Sequence, residues 1–168
     1  MPRSVCSFSE RVDMSTTTEF KIPVSISIRD TEPPCVSPDS ELSVFVVFTS
    51  MNWTLRALEK ARGIAKPLGA RVVAVAVQVV PYPLPLDRPP VPMEFVIRRF
   101  EEKTAEFPEG TKISACLCRD PLVALKRVLK RNCPVIMGVR KTMWPNRDKR
   151  LAGKLKRAGY GIILVETE

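Results

Sequence analysis

The chain has 168 residues, of which 45% are hydrophobic and 27% charged, so it fits one globular domain and is neither wholly disordered nor long enough for a second full domain. It contains no histidine, which excludes histidine-based catalytic triads and histidine-containing zinc sites. The formal net charge is +9, and the positive charge is concentrated in residues 119–157, where 13 Lys and Arg residues stand against Asp120 and Asp148. Such a segment attracts phosphates, nucleic acid, anionic membranes or acidic proteins.

The first 41 residues read as an N-terminal extension. They are rich in Ser, Thr, Pro and acidic residues, which predicts a largely flexible segment. Within them KIPVSISI, residues 21–28, alternates apolar and polar side chains, which indicates a strand, and Pro23 restricts that strand to a sheet edge. Met14 is an alternative start. No signal-peptide pattern is present, no apolar run is long enough to span a bilayer, and the five cysteines form no C-x-x-C pair. We therefore expect a cytoplasmic protein.

Residues 42–168 show a regular alternation of predicted strands and helices. The strands are short apolar runs, typical of a buried parallel sheet: SVFVVFTS, RVVAVAVQVV, TKISACLC, PVIMGV and YGIILVE. Helical spacing follows the first strand, with Ser50 or Asn52 as N-cap and Gly69 as C-cap. A proline-rich connector, PYPLPLDRPPVP, precedes the second helix.

The last two helices carry recognisable start signals. Asp120-Pro121 predicts the N-terminus of the third helix, and Asp148 is predicted to cap the fourth. The whole pattern predicts an α/β fold: a three-layer sandwich in which about five parallel strands have helices on both faces. Ligands of such sheets bind beyond the carboxyl ends of the strands, where Gly138 is predicted to lie.

The sequence resembles the universal stress protein family over residues 43–166. TSMNWTLRAL is similar to the family's D-G-S-x-x-S-x-x-A-L, and RDPLVALKRVLKRNCPVIMG is similar to its stretch from G-D-P to I-V-M-G. The resemblance implies a Rossmann-like fold of the adenine nucleotide alpha hydrolase type and a role in stress response. It also implies a homodimer that pairs the last strands, through Gly161, Ile162, Ile163, Leu164 and Val165.

The chain departs from the family's ATP-binding pattern. Thr49 stands where the family has an acidic residue, and in the G-x-x-G element Met137 and Gly138 match whereas Lys141 replaces the second glycine. The closing G-S corresponds to Leu151-Ala152 or to Asp148-Lys149, depending on the direction of counting. The resemblance thus implies a degenerate nucleotide site, for which the candidate residues are Thr49, Met137, Gly138, Arg140, Lys141, Asp148 and Lys149. We expect that ATP binding is lost and that no cofactor is bound.

Other motifs admit more than one interpretation. Trp144-Pro145 could stack a base, plug the adenine pocket or pack the loop onto the core. The loop cations could form an anion site, whereas the helix cations are better explained as solvated faces. Cys116, Cys118 and Cys133 are interpreted as small buried hydrophobic residues, and no metal site is predicted.

No nucleophile and base can be paired, so an enzyme is not expected. We predict a non-catalytic binding or regulatory module. One alternative is a nucleotide or phosphate sensor that uses loop cations near Gly138. A second is nucleic-acid binding through residues 119–157, which is disfavoured because aromatic residues do not interleave with the cations. Besides a second copy of the chain, the charge fits an acidic protein surface or an anionic membrane face as partner.

Overall fold

A computed structural model describes residues 24–27, 42–86, 88–104, 111–144 and 146–167. Six strands and four helices follow one another in these segments. In chain order they are β1 (Val24–Ser27), β2 (Ser43–Val47), α1 (Met51–Leu68), β3 (Arg71–Val79), α2 (Met93–Thr104), β4 (Thr111–Cys118), α3 (Pro121–Val128), β5 (Pro134–Arg140), α4 (Arg147–Arg157) and β6 (Gly161–Thr167).

The strands form one sheet in the order β1-β4-β3-β2-β5-β6, and every neighbouring pair is parallel. The predicted α/β class with a parallel sheet is confirmed. Five strands are the predicted apolar runs, and the sixth, β1, is the edge strand that the KIPVSISI alternation predicts. Residues 1–23 and 28–41 lie outside the described residues, so the flexibility of the extension and the domain limits stay predictions.

The helices cover both faces of the sheet, as the apolar strands require. Alternate strand residues point to opposite faces: Val44, Val46 and Ala74 pack with α1, whereas Phe45 and Val75 pack with α3 and α4. Helix α2 lies on the α1 side, where it contacts the end of β4. The result is a three-layer sandwich with a core on each side of the sheet.

The direction in which successive strands are added to the sheet reverses between β2 and β5. From β2 it proceeds through α1 to β3 on one side, whereas from β5 it proceeds through α4 to β6 on the other side, and α1 and α4 lie on opposite faces. The connections that leave the carboxyl ends of β2 and β5 therefore diverge. In open α/β sheets this divergence creates the crevice in which ligands bind.

The helix ends agree with the sequence signals at three positions and disagree at one. Gly69 ends α1 in the left-handed conformation, with φ of 58°, and the Asp120 carboxylate accepts a 2.8 Å hydrogen bond from the amide of Leu122 at the start of α3. Of the two predicted caps of α1, Ser50 occupies the N-cap position, although its side chain makes no capping hydrogen bond. The prediction that Asp148 caps α4 is wrong, because Asn146 occupies the cap and Asp148 falls in the first turn.

The proline-rich connector is held by one arginine. Arg119, directly after β4, donates hydrogen bonds of 2.7 Å to the carbonyl of Val80 and 2.6 Å to that of Leu84. Its guanidinium also lies 4.2 Å from the centre of the Tyr82 ring. These contacts anchor the start of the connector beside β4. Among the helices of the described residues, none is long and apolar enough to cross a membrane.

Candidate functional site

A cleft of about 1010 Å³ opens beyond the carboxyl ends of β2 and β3. Its walls come from those strands, from the start of α2 and from the N-terminal ends of α3 and α4. Its polar and charged lining consists of Thr49, Gln78, Asp120, Asn146, Arg147, Asp148, Arg150 and Lys154. The volume is sufficient for a small organic ligand.

Charges of both signs line this cleft. The α4 cations Arg147, Arg150 and Lys154 are exposed, and they share the lining with the carboxyl groups of Asp120 and Asp148. Burial raises the pKa of Asp148 above its ordinary value, and the nearby charge of Arg147 partly opposes that rise. An anionic ligand would therefore meet cations together with two acidic side chains.

The two helix N-termini beside the cleft are occupied by side chains of the protein. Asp120 caps α3 through the amide of Leu122, and Asn146 Oδ1 accepts a 2.9 Å hydrogen bond from the amide of Lys149 in the first turn of α4. Exposed amides at a helix N-terminus are the groups that bind phosphate. Here each helix has one such amide already satisfied, and Asp148 adds a carboxyl group to the first turn of α4.

Gly138 is a residue of a strand and does not form a phosphate turn. Strand β5 continues two residues beyond it, to Arg140, and Gly138 pairs with Val165 of β6. A Cβ atom at this position would overlap the backbone carbonyl oxygen of Trp53 and lie 2.5 Å from the carbonyl carbon. The glycine is therefore required because the first turn of α1 approaches the β5 backbone. The sequence pattern predicts Gly138 at the carboxyl end of its strand, whereas β5 ends two residues later, at Arg140.

Thr49 lies beside Gly138 across the crevice. Its Oγ1 donates a 2.7 Å hydrogen bond to the carbonyl of Gly138, and its amide donates a 3.2 Å hydrogen bond to Thr54 Oγ1. The structure thus brings together two of the predicted site residues from positions 89 residues apart. Because Thr49 also lines the cleft, this pair connects the cleft wall to the junction of β2 and β5.

The remaining predicted site residues are dispersed. Met137 is fully buried in the core under α3 and α4, and Arg140 and Lys141 are exposed at the end of β5, outside the lining of the cleft. Lys149 makes a 2.8 Å ion pair with Glu166 of β6. The hydrogen bond from Lys149, together with its charge, lowers the pKa of Glu166. Of the seven candidates, only Thr49 and Asp148 line the cleft.

Trp144 neither plugs the cleft nor packs onto the core. Its side chain is 83% exposed, and that of the preceding Met143 is completely exposed. The interpretations in which Trp144 fills the adenine pocket or covers the core are therefore wrong. Trp53, the other tryptophan, is partly buried where α1 meets β5. Pro145 lies outside the described residues.

Gln78 lines the cleft, although the sequence pattern does not indicate it as a site residue. Its Nε2 donates a 2.8 Å hydrogen bond to the carbonyl of Val91, whereas its buried Oε1 has no hydrogen-bond partner. An unpaired buried acceptor is costly unless a water or ligand donates to it. The one sequence signal for Gln78 is that it is a single polar side chain near the carboxyl end of the apolar run RVVAVAVQVV.

Cys116 and Cys118 are buried in β4, as the sequence predicts, and Cys133 is partly buried. Burial raises the pKa of Cys116 to about 11, so its thiol is protonated at neutral pH. Within the described ranges, no three residues among Cys, Asp and Glu converge as metal ligands do.

Comparisons with known proteins identify the fold. A universal stress protein solved in complex with cAMP is similar with a TM-score of 0.52 and 14% sequence identity, over 76% of this chain and 98% of that one. A universal stress protein family member from Burkholderia pseudomallei (TM-score 0.47, 16% identity, 73% and 94% coverage) and UspA from Lactobacillus plantarum (TM-score 0.48, 13% identity, 76% and 97% coverage) are also similar. No protein-family model and no curated protein matches the sequence. The chain has the UspA-like fold.

The close contact at Gly138 predicts that a larger residue at this position lowers the stability of the fold. We expect Gly138→Ala to reduce the free energy of unfolding by about 3 kcal/mol or more, because the first turn of α1 must move away from β5. Gly63→Ala is the matched control, since Gly63 lies exposed within α1 with open space around it and should gain about 0.5–1 kcal/mol. Urea unfolding followed by circular dichroism measures both. Equal stability of Gly138→Ala and the native protein would contradict the contact.

Proposed function

We propose that the protein is a non-catalytic binding or regulatory module of the universal stress protein type, and that its cleft does not bind ATP. The observation that carries this proposal is the capping of both helices at the cleft by Asp120 and Asn146. Their side chains take hydrogen-bond donors that a phosphate group would need. The family resemblance of the sequence and the UspA-like fold support the type of module.

Electrostatics at the cleft support the same proposal. A triphosphate in the cleft would meet the carboxyl groups of Asp120 and Asp148, whose negative charge repels phosphate. The family's glycine turn is replaced by the extended β5 backbone at Gly138, which is engaged with Thr49 and the first turn of α1. No glycine occurs between Val139 and Ala152 to rebuild an amide-lined turn.

Thermal unfolding tests the proposal directly. We expect ATP, ADP and cAMP at millimolar concentration to leave the Tm unchanged. A ligand present at about 100 times its Kd stabilises the native state by about 2.7 kcal/mol, which corresponds to a shift of several degrees. Sodium sulfate at equal ionic strength is the control, because a protein of net charge +9 responds to salt alone. A shift of several degrees with one nucleotide, and none with sulfate, would overturn the proposal.

A phosphate-ligand sensor is the second candidate, and the cleft cations favour it. Arg147, Arg150 and Lys154 line the cleft, and the unpaired Gln78 Oε1 could accept a hydrogen bond from a ligand. In this case a nucleotide raises the Tm, and the shift is lost in Arg150→Ala/Lys154→Ala. It persists in Arg140→Ala/Lys141→Ala, because those two side chains do not line the cleft. If instead the shift is lost in Arg140→Ala/Lys141→Ala and persists in Arg150→Ala/Lys154→Ala, the ligand binds at the end of β5.

We also propose a homodimer that pairs the β6 strands. In the described part of the chain β6 has β5 on one side and no strand on the other, so it is an edge strand. Ile163 and Leu164 on this strand are 37% and 42% exposed. Exposed apolar edges favour pairing with another strand. A second copy of β6 would cover both the free backbone groups and these side chains.

Leu164→Lys tests the dimer. We expect the native chain to sediment as a dimer and Leu164→Lys to shift it to the monomer, because the two lysines would meet at the symmetric contact. Val123→Lys is the matched control, since Val123 is 46% exposed on α3 and is not part of β6, and its replacement should leave the dimer intact. A native chain that sediments as a monomer at about 100 µM, where even weak specific dimers form, rules out this interface.

We propose that the protein lies in the cytoplasm, because a reducing compartment suits its cysteines. In the described part of the chain, Cys116, Cys118 and Cys133 form no disulfide bond. Unpaired cysteines are typical of reducing compartments.

A further inference from the structure

The loop between β5 and α4 exposes two large apolar side chains. Met143 is completely exposed and Trp144 is 83% exposed. These neighbours combine a flexible thioether with the largest aromatic side chain, and leaving both in water is unfavourable. Adjacent exposed apolar side chains of this size indicate a surface that contacts another molecule.

Hydrogen bonds hold this loop in its exposed conformation. Thr142 Oγ1 donates a 2.8 Å hydrogen bond to the carbonyl of Trp144, and Lys149 Nζ donates a 3.2 Å hydrogen bond to the carbonyl of Thr142. Lys149 is itself paired with Glu166 on β6, and Asn146 caps α4 directly after the loop. The loop is thus tied to α4 and to β6, so the exposure of Met143 and Trp144 is part of the folded structure.

Cations flank the exposed pair in the sequence. Arg140 and Lys141 precede it, Arg147 and Arg150 follow it, and all four side chains are exposed. Asp148 is the one carboxylate in residues 140–150. We call Arg140, Lys141, Met143, Trp144, Arg147 and Arg150 together the basic-aromatic tip.

We propose that the basic-aromatic tip docks the protein on an anionic membrane surface. Trp144 and Met143 enter the headgroup region, where an aromatic ring with a polar edge is well accommodated. The four cations remain in water against the acidic headgroups. One exposed apolar pair and one group of cations are the two weak signals that reversible peripheral binding requires.

Other polyanions fit the tip less well. A nucleic-acid backbone is recognised by cations and stacked aromatic rings, and Met143 at the most exposed position offers neither. An acidic protein would satisfy the cations but needs its own apolar pocket for Trp144. The membrane interface supplies negative charge and an apolar layer together. This inference does not depend on whether the cleft binds a nucleotide.

Vesicle binding by the full chain tests the proposal. Trp53→Phe leaves Trp144 as the sole tryptophan, because the sequence contains two. We expect this protein to sediment with vesicles of phosphatidylcholine and phosphatidylserine but not with phosphatidylcholine alone. The Trp144 emission should shift to shorter wavelength, and lipids brominated near the headgroup should quench it.

Matched variants separate the tip from the general positive charge. Met143→Ser/Trp144→Ser and Arg140→Ser/Lys141→Ser should each weaken vesicle binding by about tenfold or more. Lys126→Ser/Arg127→Ser removes the same number of exposed charges from α3 and should weaken it by less than about threefold. All these side chains are exposed, so circular dichroism should show native folding in each variant.

Three results would overturn the proposal. In the first, the α3 variant loses as much binding as Arg140→Ser/Lys141→Ser, which indicates attraction by net charge alone. In the second, vesicles bind without a change in Trp144 emission. In the third, an acidic peptide or an RNA oligonucleotide shifts the Trp144 emission whereas vesicles do not, which assigns the tip to that partner. These assays contain no nucleotide, so their outcome is separate from the test of nucleotide binding in the cleft.

Discussion

The approach of the first turn of α1 to the backbone of β5 at Gly138 is the contact on which the site depends. The carbonyl of Trp53 occupies the space where any other residue would place its Cβ. Beside it, Thr49 joins the end of β2 to the carbonyl of Gly138. Together these contacts fix how the connections leave β2 and β5 at the point where the sheet changes direction, and so set the position of one cleft wall and the start of the following loop.

This packing changes what the end of β5 can do. Because the Gly138 backbone is extended and engaged with α1 and Thr49, β5 continues to Arg140 before the chain turns. The loop then exposes Met143 and Trp144 and returns to a helix that is capped by Asn146. A cleft remains beyond the sheet, but its helix ends carry side-chain caps where a phosphate site would have open amides.

The positive charge of residues 119–157 is divided by the fold into groups with different surroundings. Arg147 and Arg150 line the cleft and are exposed at its mouth, whereas Arg140 and Lys141 lie outside it. Lys149 binds the Thr142 carbonyl and Glu166, so its charge serves the structure. The cleft and the exposed loop are therefore neighbours that share α4, and a partner that binds one of them will be close to the other.

The sequence by itself determined the fold class, because apolar runs that alternate with helical spacing can be buried only in a parallel sheet covered on both faces. It also located the β1 edge strand, the Gly69 and Asp120 caps and the burial of Cys116 and Cys118, since each follows from local chemistry. Only the tertiary structure decided the roles of Gly138, Lys149, Trp144 and Gln78. A glycine can permit a turn or a close contact, and a lysine can bind a ligand or a glutamate. The choice depends on which residues distant in sequence become neighbours in space, and local spacing does not contain that information.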